Sequence, residues 1–214
     1  MQSTYERAIT QVFKDEGGYS NDAGDPGGPT NWGITIIDAR LYWKHDATAE
    51  DVKNMPRSIA EEIYVKHYAD PLQYNSLPAG VDYAVLDYGI NSGISRSAKV
   101  LQSIVKVPVD GVIGPITIAA VSALNSGNVI DAIYDERLRF LRSLSTWSRF
   151  GRGWLSRCTI GRALAHQLTG LGSAKAVPPT PVVKPTPASK PTPTQVPSFW
   201  EALGNLLKLI FRRT

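Results

Sequence analysis

Cys158 is the only cysteine in 214 residues, so no internal disulfide framework can form. Folding in a reducing compartment is therefore expected. Histidine is nearly as scarce. His45, His67 and His166 lie too far apart to suggest a zinc site, and no metal or other cofactor is expected. The N-terminal stretch MQSTYERAITQVFKDEGG carries charge by position 6 and has no continuous apolar run, so a secretory leader is not expected. Neither the Gly-x-x-x-x-Gly-Lys-Ser/Thr nor the Gly-x-Gly-x-x-Gly phosphate cradle occurs, and no nucleic-acid-binding motif accompanies the basic residues. Strand-period runs of any length are also missing. A small loop or β-hairpin is the most β-structure expected, within a mainly α fold.

What is present is polarised. The formal charge is −5 over residues 1–110, +4 over 111–172 and +5 over 173–214. Such a distribution suits a polyanionic or membrane-surface partner at the C-terminal end. Apolar spacing predicts helices at about 3–14, 49–68, 79–91, 94–105, 115–124, 127–146 and 152–170. Ser3 and Glu6 have the spacing of a capping box for the first helix, and Gly17-Gly18 should stop it just after Glu16. Pro115 is placed to open a later helix. Arg137, Arg139, Arg142, Arg149, Arg152, Arg157 and Arg162 give the back half a basic surface.

Beyond Gly172 the composition changes. Residues 176–197 hold eight prolines in a K-P-T-P pattern and read as a semi-rigid linker. The closing SFWEALGNLLKLIFRRT places Glu201, Asn205, Lys208 and Arg212 on one stripe, opposite Phe199, Leu203, Leu206, Leu207 and Ile210. This predicts an amphipathic helix over 198–214. It is shorter than the roughly 20 residues that span a bilayer, so it is suited to lying on a membrane surface.

The chemistry concentrates in DEGGYSNDAGDPGGPTNWGIT, residues 15–35. An EF-hand reading fails because Asp22 and Asp25 are three apart and no closing glutamate follows. A plain turn accounts for the glycines and prolines but not for Glu16 at a helix end with carboxylates, hydroxyls and aromatics close behind. Glycoside hydrolysis accounts for both. It needs one carboxylic acid kept protonated and a second carboxylate to position water or stabilise an oxocarbenium-like transition state. Glu16 lies where the helix dipole disfavours its charge and near Phe13, Tyr19 and Trp32, which suits the acid. Asp25 is across the loop from it, with Asp22 as its rival, and Thr30 or Thr35 is available to orient water. Tyr19 and Trp32 can stack on sugar rings. Asp87, Tyr88 and Asn91 fall near one helix end, where Asp87 and Asn91 share a face and can line a sugar cleft.

The stretch EGGYSNDAGDPGGPTNWGIT resembles the signature of glycoside hydrolase family 108, the N-acetylmuramidases of phage endolysins and bacterial secretion activators. The resemblance continues through AVLDYGINSG (84–93), VLQSIVKVPVDGVIGPITIAAV (100–121) and FGRGWLSRC (150–158). It implies a lysozyme-like helical fold that cleaves the β-1,4 bond between N-acetylmuramic acid and N-acetylglucosamine, with Glu16 as catalytic acid. Glu16 and Asp25 also match the Glu-x8-Asp spacing of phage-type lysozymes, while Thr30 lies one position short of the threonine in that pattern. VDGVIGPITIAAV resembles a small peptidoglycan-binding helical motif, in which Asp110 would cap and Gly111 and Gly114 would serve turns.

The expected organisation is a muramidase region at 1–106, a peptidoglycan-binding-like region at 107–172 that completes the fold, the linker at 173–197 and the tail at 198–214. The expected protein is a monomeric phage endolysin made in the host cytoplasm. It would act on periplasmic peptidoglycan and meet the inner membrane through its tail. The alternatives are a weakly active peptidoglycan-binding or secretion-accessory protein, and a lytic transglycosylase with a membrane-disrupting tail.

Overall fold

The computed structural model describes residues 4–21 and 28–170. The linker and tail expectations (173–214), Ser3, Asp22 and Asp25 lie outside the described residues. Within them the chain is mainly helical, as the spacing predicts. The helices are α1 (Tyr5–Glu16), α2 (Ile36–Tyr42), α3 (Ala49–Lys53), α4 (Arg57–Tyr64), α5 (Val81–Ser92), α6 (Ile94–Ile104), α7 (Pro115–Ser122), α8 (Ser126–Arg142) and α9 (Trp147–Thr169).

The organising element is α5. Its residues Val81 to Asn91 are all buried, apolar and polar alike, so it has no solvent face and serves as the axis of the fold. Helices α1, α6, α8 and α9 pack around it. One core runs from Tyr5, Ile9 and Phe13 of α1 through Leu86 of α5 to Ile130 and Ile133 of α8 and Ala165 and Leu168 of α9. No single helix among the described residues is long and apolar enough to cross a membrane.

Three local features have clear causes. The single helix expected over 49–68 is two, α3 and α4, because Pro56 takes an extended backbone (φ −59°, ψ 140°) as the cap of α4. The TNWGITI segment is both a hairpin and a helix start. Strands β1 (Thr30–Asn31) and β2 (Ile34–Thr35) pair antiparallel, and Thr35 then caps α2 in a reciprocal capping box with Asp38. Helix α1 begins at Tyr5 and has no side-chain cap: Thr4 instead donates its hydroxyl to Asp82 on α5, at 2.6 Å. The helix thus gives up a local cap for a tertiary anchor. At the other end Gly17 stops α1 after Glu16 with φ +82°, donating its N–H to Phe13.

The VDGVIGP segment is a turn tied to α6. Asp110 Oδ1 accepts the Val112 N–H at 2.9 Å, and the Gln102 amide holds both Asp110 and the Gly111 N–H. Pro115 occupies the first turn of α7, as its fixed φ favours.

Candidate active site

Glu16 ends α1 with its side chain only 4% exposed. Three parts of the fold converge there. The first is the hairpin. Its two-residue turn, Trp32-Gly33, has positive φ at both positions (55° and 75°), the geometry that matches the twist of paired strands. A Cβ on Gly33 would lie 2.5 Å from Tyr64 Oη and 3.0 Å from Glu16 Cβ and Cγ, so only glycine allows the turn to rest on the acid. The turn is anchored on three sides. Trp32 packs against Phe13 at 5.3 Å and donates Nε1 to Met55 O; Asn31 donates to Val52 O and Lys53 O; and Tyr64 Oη donates to Trp32 O.

The second part is the bridge between Ser20 and Thr30. These residues exchange both backbone hydrogen bonds at 2.9 Å, four residues beyond Glu16.

The third part comes from the C-terminal helices. Arg157 on α9 donates Nη2 to Glu16 Oε1 at 2.9 Å and to Asp87 Oδ1 at 3.2 Å. Asp87 Oδ2 in turn accepts from Arg137 Nη1 and from Tyr134 Oη. Helix α9 comes this close because residue 161 is glycine: a Cβ there would lie 2.6 Å from Tyr134 Oη and 3.0 Å from Asp87 Oδ2. The result is a buried relay, Glu16–Arg157–Asp87–Arg137, spanning α1, α9, α5 and α8.

The electrostatics follow from burial against charge. Burial pushes the Glu16 carboxyl up from its ordinary value, with Asp87 and Asp15 adding to the rise and Arg157 opposing it; the net direction is upward. Burial would also raise Asp87, but Arg137 and Arg157 outweigh it and hold that carboxyl down. Burial raises Asp15 as well. Among three neighbouring acids, Glu16 is the one with a raised pKa in direct contact with a cation, while Asp87 stays ionised.

The sequence-derived site residues are distributed unevenly. Glu16 sits at the convergence point. Thr30 is in β1, its hydroxyl donated to Gly28 O at 3.0 Å. Thr35 is committed to its cap. Tyr19 is exposed beside the acid loop, and Trp32 is half-buried in the turn. Asp87 and Tyr88, expected along a sugar cleft, are each 1% exposed, so that expectation is corrected. Both sit inside the bundle because α5 is buried on every side. Asp87 carries the ion relay, and the Tyr88 ring faces Arg137 at 5.6 Å. Asn91 is buried beside Ser92. The basic-surface reading also needs correction: Arg137 is buried and Arg157 nearly so, while Arg139, Arg142, Arg149 and Arg152 are exposed.

Arg157, Arg137 and Tyr64 are site residues that no motif in the sequence marks as such. A signal for Arg137 existed, because it falls on the apolar stripe of α8 with Ile130, Ile133, Tyr134 and Leu141. A charge at such a position needs a buried partner. His67 stacks on Tyr42 and His166 meets Asp131, well apart in the chain, and the described residues contain no cluster of three metal-ligating side chains.

Comparison with known proteins gives this geometry its context. The family model described as Glycosyl hydrolase 108 matches residues 9–93, and one described as Predicted Peptidoglycan domain matches 96–159. A solved structure titled "Structure of Brucella abortus SagA" is 42% identical. The match covers 78% of this chain and 95% of that one, with a TM-score of 0.68. The chain belongs to glycosyl hydrolase family 108. No curated protein matches. This family 108 protein is a glycoside hydrolase, and peptidoglycan is its substrate. Its ion relay crosses the junction of the two matched segments: Glu16 and Asp87 belong to the first, Tyr134, Arg137 and Arg157 to the second.

Proposed function

We propose that the protein is an N-acetylmuramidase that cuts the β-1,4 bond between N-acetylmuramic acid and N-acetylglucosamine, with Glu16 as the general acid. The observation that carries this reading is the buried Glu16 carboxyl, held at a helix end against the Trp32-Gly33 turn and Arg157. A carboxyl raised by burial holds a proton toward neutral pH, as protonation of a leaving oxygen requires. The proton passes from Glu16 to the glycosidic oxygen, which takes the electron pair of the breaking bond to the anomeric carbon. Water adds to that carbon and yields its proton to the second carboxylate. Asp25 is assigned that role, with Asp22 as its rival and Thr30 as the hydroxyl that orients water.

The biological setting in this reading is a monomeric phage endolysin. It is made in the host cytoplasm and reaches periplasmic peptidoglycan, causing lysis, with residues 198–214 meeting the inner membrane through a 22-residue proline-rich linker. Mass spectrometry of digested sacculi tests the bond. Products ending in reducing muramic acid are expected, whereas an anhydro product would mean a transglycosylase. Glu16→Gln tests the acid: the variant is expected to leave sacculi undigested, and clearance at the wild-type rate would remove Glu16 from the role.

A further inference from the structure

Glu16 Oε1 is occupied by Arg157, whereas Oε2 has no hydrogen-bond partner among the described residues. The arginine is itself immobilised. Its Nε and Nη2 both face Asp87 Oδ1, at 3.4 and 3.2 Å, and the other Asp87 oxygen is held by Arg137 and Tyr134. A carboxylate fixed by two donors on one oxygen acts as a rigid post for the guanidinium on the other. Gly161 lets α9 approach this post closely, so the position of Arg157 is set by packing as well as charge.

We infer that Arg157 is a positioning residue for hydrolysis: anchored on Asp87, it holds Oε1 of Glu16 and leaves Oε2 as the atom that carries the proton to the glycosidic oxygen. The segment matched as a predicted peptidoglycan domain therefore completes the acid's environment as well as adjoining it. This rests on the reading of Glu16 as the acid.

Among the described residues, the charged and titratable groups around the pair are Asp15 on α1, Tyr64 on α4, Tyr83 and Asp87 on α5, Tyr134 and Arg137 on α8, and Cys158 on α9. Among the described residues, only Arg157 makes a hydrogen bond to Glu16 that also spans to a second helix. Removing its charge leaves Asp87 and Asp15 to act on Glu16 unopposed. The acid form should then persist to higher pH, so the alkaline limb of kcat/KM moves upward. Loss of one adjacent opposite charge corresponds to a shift of about 1 pH unit or more. Loss of orientation should lower kcat by roughly 10- to 100-fold, while KM, set by sugar contacts elsewhere, changes little.

The test uses the full chain with solubilised peptidoglycan, measuring kcat and KM across pH for wild type, Arg157→Gln and Arg157→Lys. The expected result is a lower kcat and an upward-shifted alkaline limb for Arg157→Gln. Arg157→Lys keeps the charge and should return the limb to its wild-type place, with kcat only partly restored. An unshifted limb in Arg157→Gln overturns the inference. If Arg157→Gln does not fold, Arg157→Lys decides. A single ammonium cannot serve both carboxylates with the geometry of the guanidinium fork, so its kcat should fall, and a wild-type kcat overturns the inference. Glu16→Gln separates the two readings. An active Glu16→Gln removes the acid assignment itself, whereas an inactive one with an unshifted Arg157→Gln limb removes only the role of Arg157.

Discussion

Replacing Asp87 by asparagine keeps the shape of the side chain and removes its charge. Asp87 is fully enclosed, as is Arg137, whose Nη1 it accepts and which has no other carboxylate in hydrogen-bonding range among the described residues. Arg157 would retain Glu16, but Arg137 would be left buried beside a neutral amide. Breaking a buried pair on one side costs about 3–5 kcal/mol. The amide oxygen can still accept one hydrogen bond, so a loss of about 3 kcal/mol is expected. For a domain of this size each kcal/mol moves Tm by about 2–4 °C, which gives a fall of about 6–12 °C at neutral pH. The loss should also depend on pH. Because Arg137 and Arg157 outweigh burial and hold the folded-state carboxyl below its unfolded value, its contribution is present above the unfolded value and fades as pH falls through the folded one. The gap between wild type and Asp87→Asn should therefore narrow in acid. Calorimetry from pH 2.5 to 7, with digestion rates at 25 °C, checks both points. An unchanged Tm together with a raised KM would refute the reasoning and return Asp87 to the sugar cleft.

Gly33→Ala forces a side chain into φ +75° and against Tyr64 Oη and Glu16, so a loss of about 2–3 kcal/mol is expected, together with slower hydrolysis. Gly18→Ala, with open space around it, should change stability by less than about 0.5 kcal/mol; equal thermal stability of the two variants would contradict the packing described. Asp82 is pushed up to about 6, first by burial and against hydrogen bonds from Thr4, Gly80 and Tyr83. A raised folded-state value means the native state binds the extra proton. Stability from this group should therefore fall by about 2–3 kcal/mol as pH rises from 4 to 6, and Asp82→Asn should flatten that slope in denaturant titrations. Deleting residues 198–214 should leave digestion of purified sacculi intact and reduce co-sedimentation with liposomes; equal partitioning of the two proteins would eliminate the membrane role.

Several elements could be read from the chain because they depend on local chemistry. Helix α1 stops where two glycines follow Glu16, α7 starts at a proline, and α5 and α6 follow their apolar spacing, whereas α8 ends at Arg142 instead of 146 and α9 starts at Trp147 instead of 152. Elsewhere a distant partner decided. Thr4 serves Asp82 on α5 and leaves α1 without a side-chain cap, and the hairpin turn relies on Trp32 adopting positive φ, which Phe13 and Met55 stabilise. Asp87 and Asn91 do share a helical face, but periodicity cannot say that every face of α5 is covered.

The sequence by itself determined the mainly helical class, the resemblance to family 108 and the placing of Glu16 at a helix end, because caps, periods and short motifs act within a few residues. Only the tertiary structure decided which charges are buried. Arg157 looks like any other arginine on a basic helix, and the apolar stripe around Arg137 does not name its partner, until α8 and α9 close on α5. Desolvation is set by neighbours far apart in sequence, and Arg157 meets Glu16 across 141 residues. Folding thus turns a residue read as part of a basic surface into the closest cationic partner of the proposed acid.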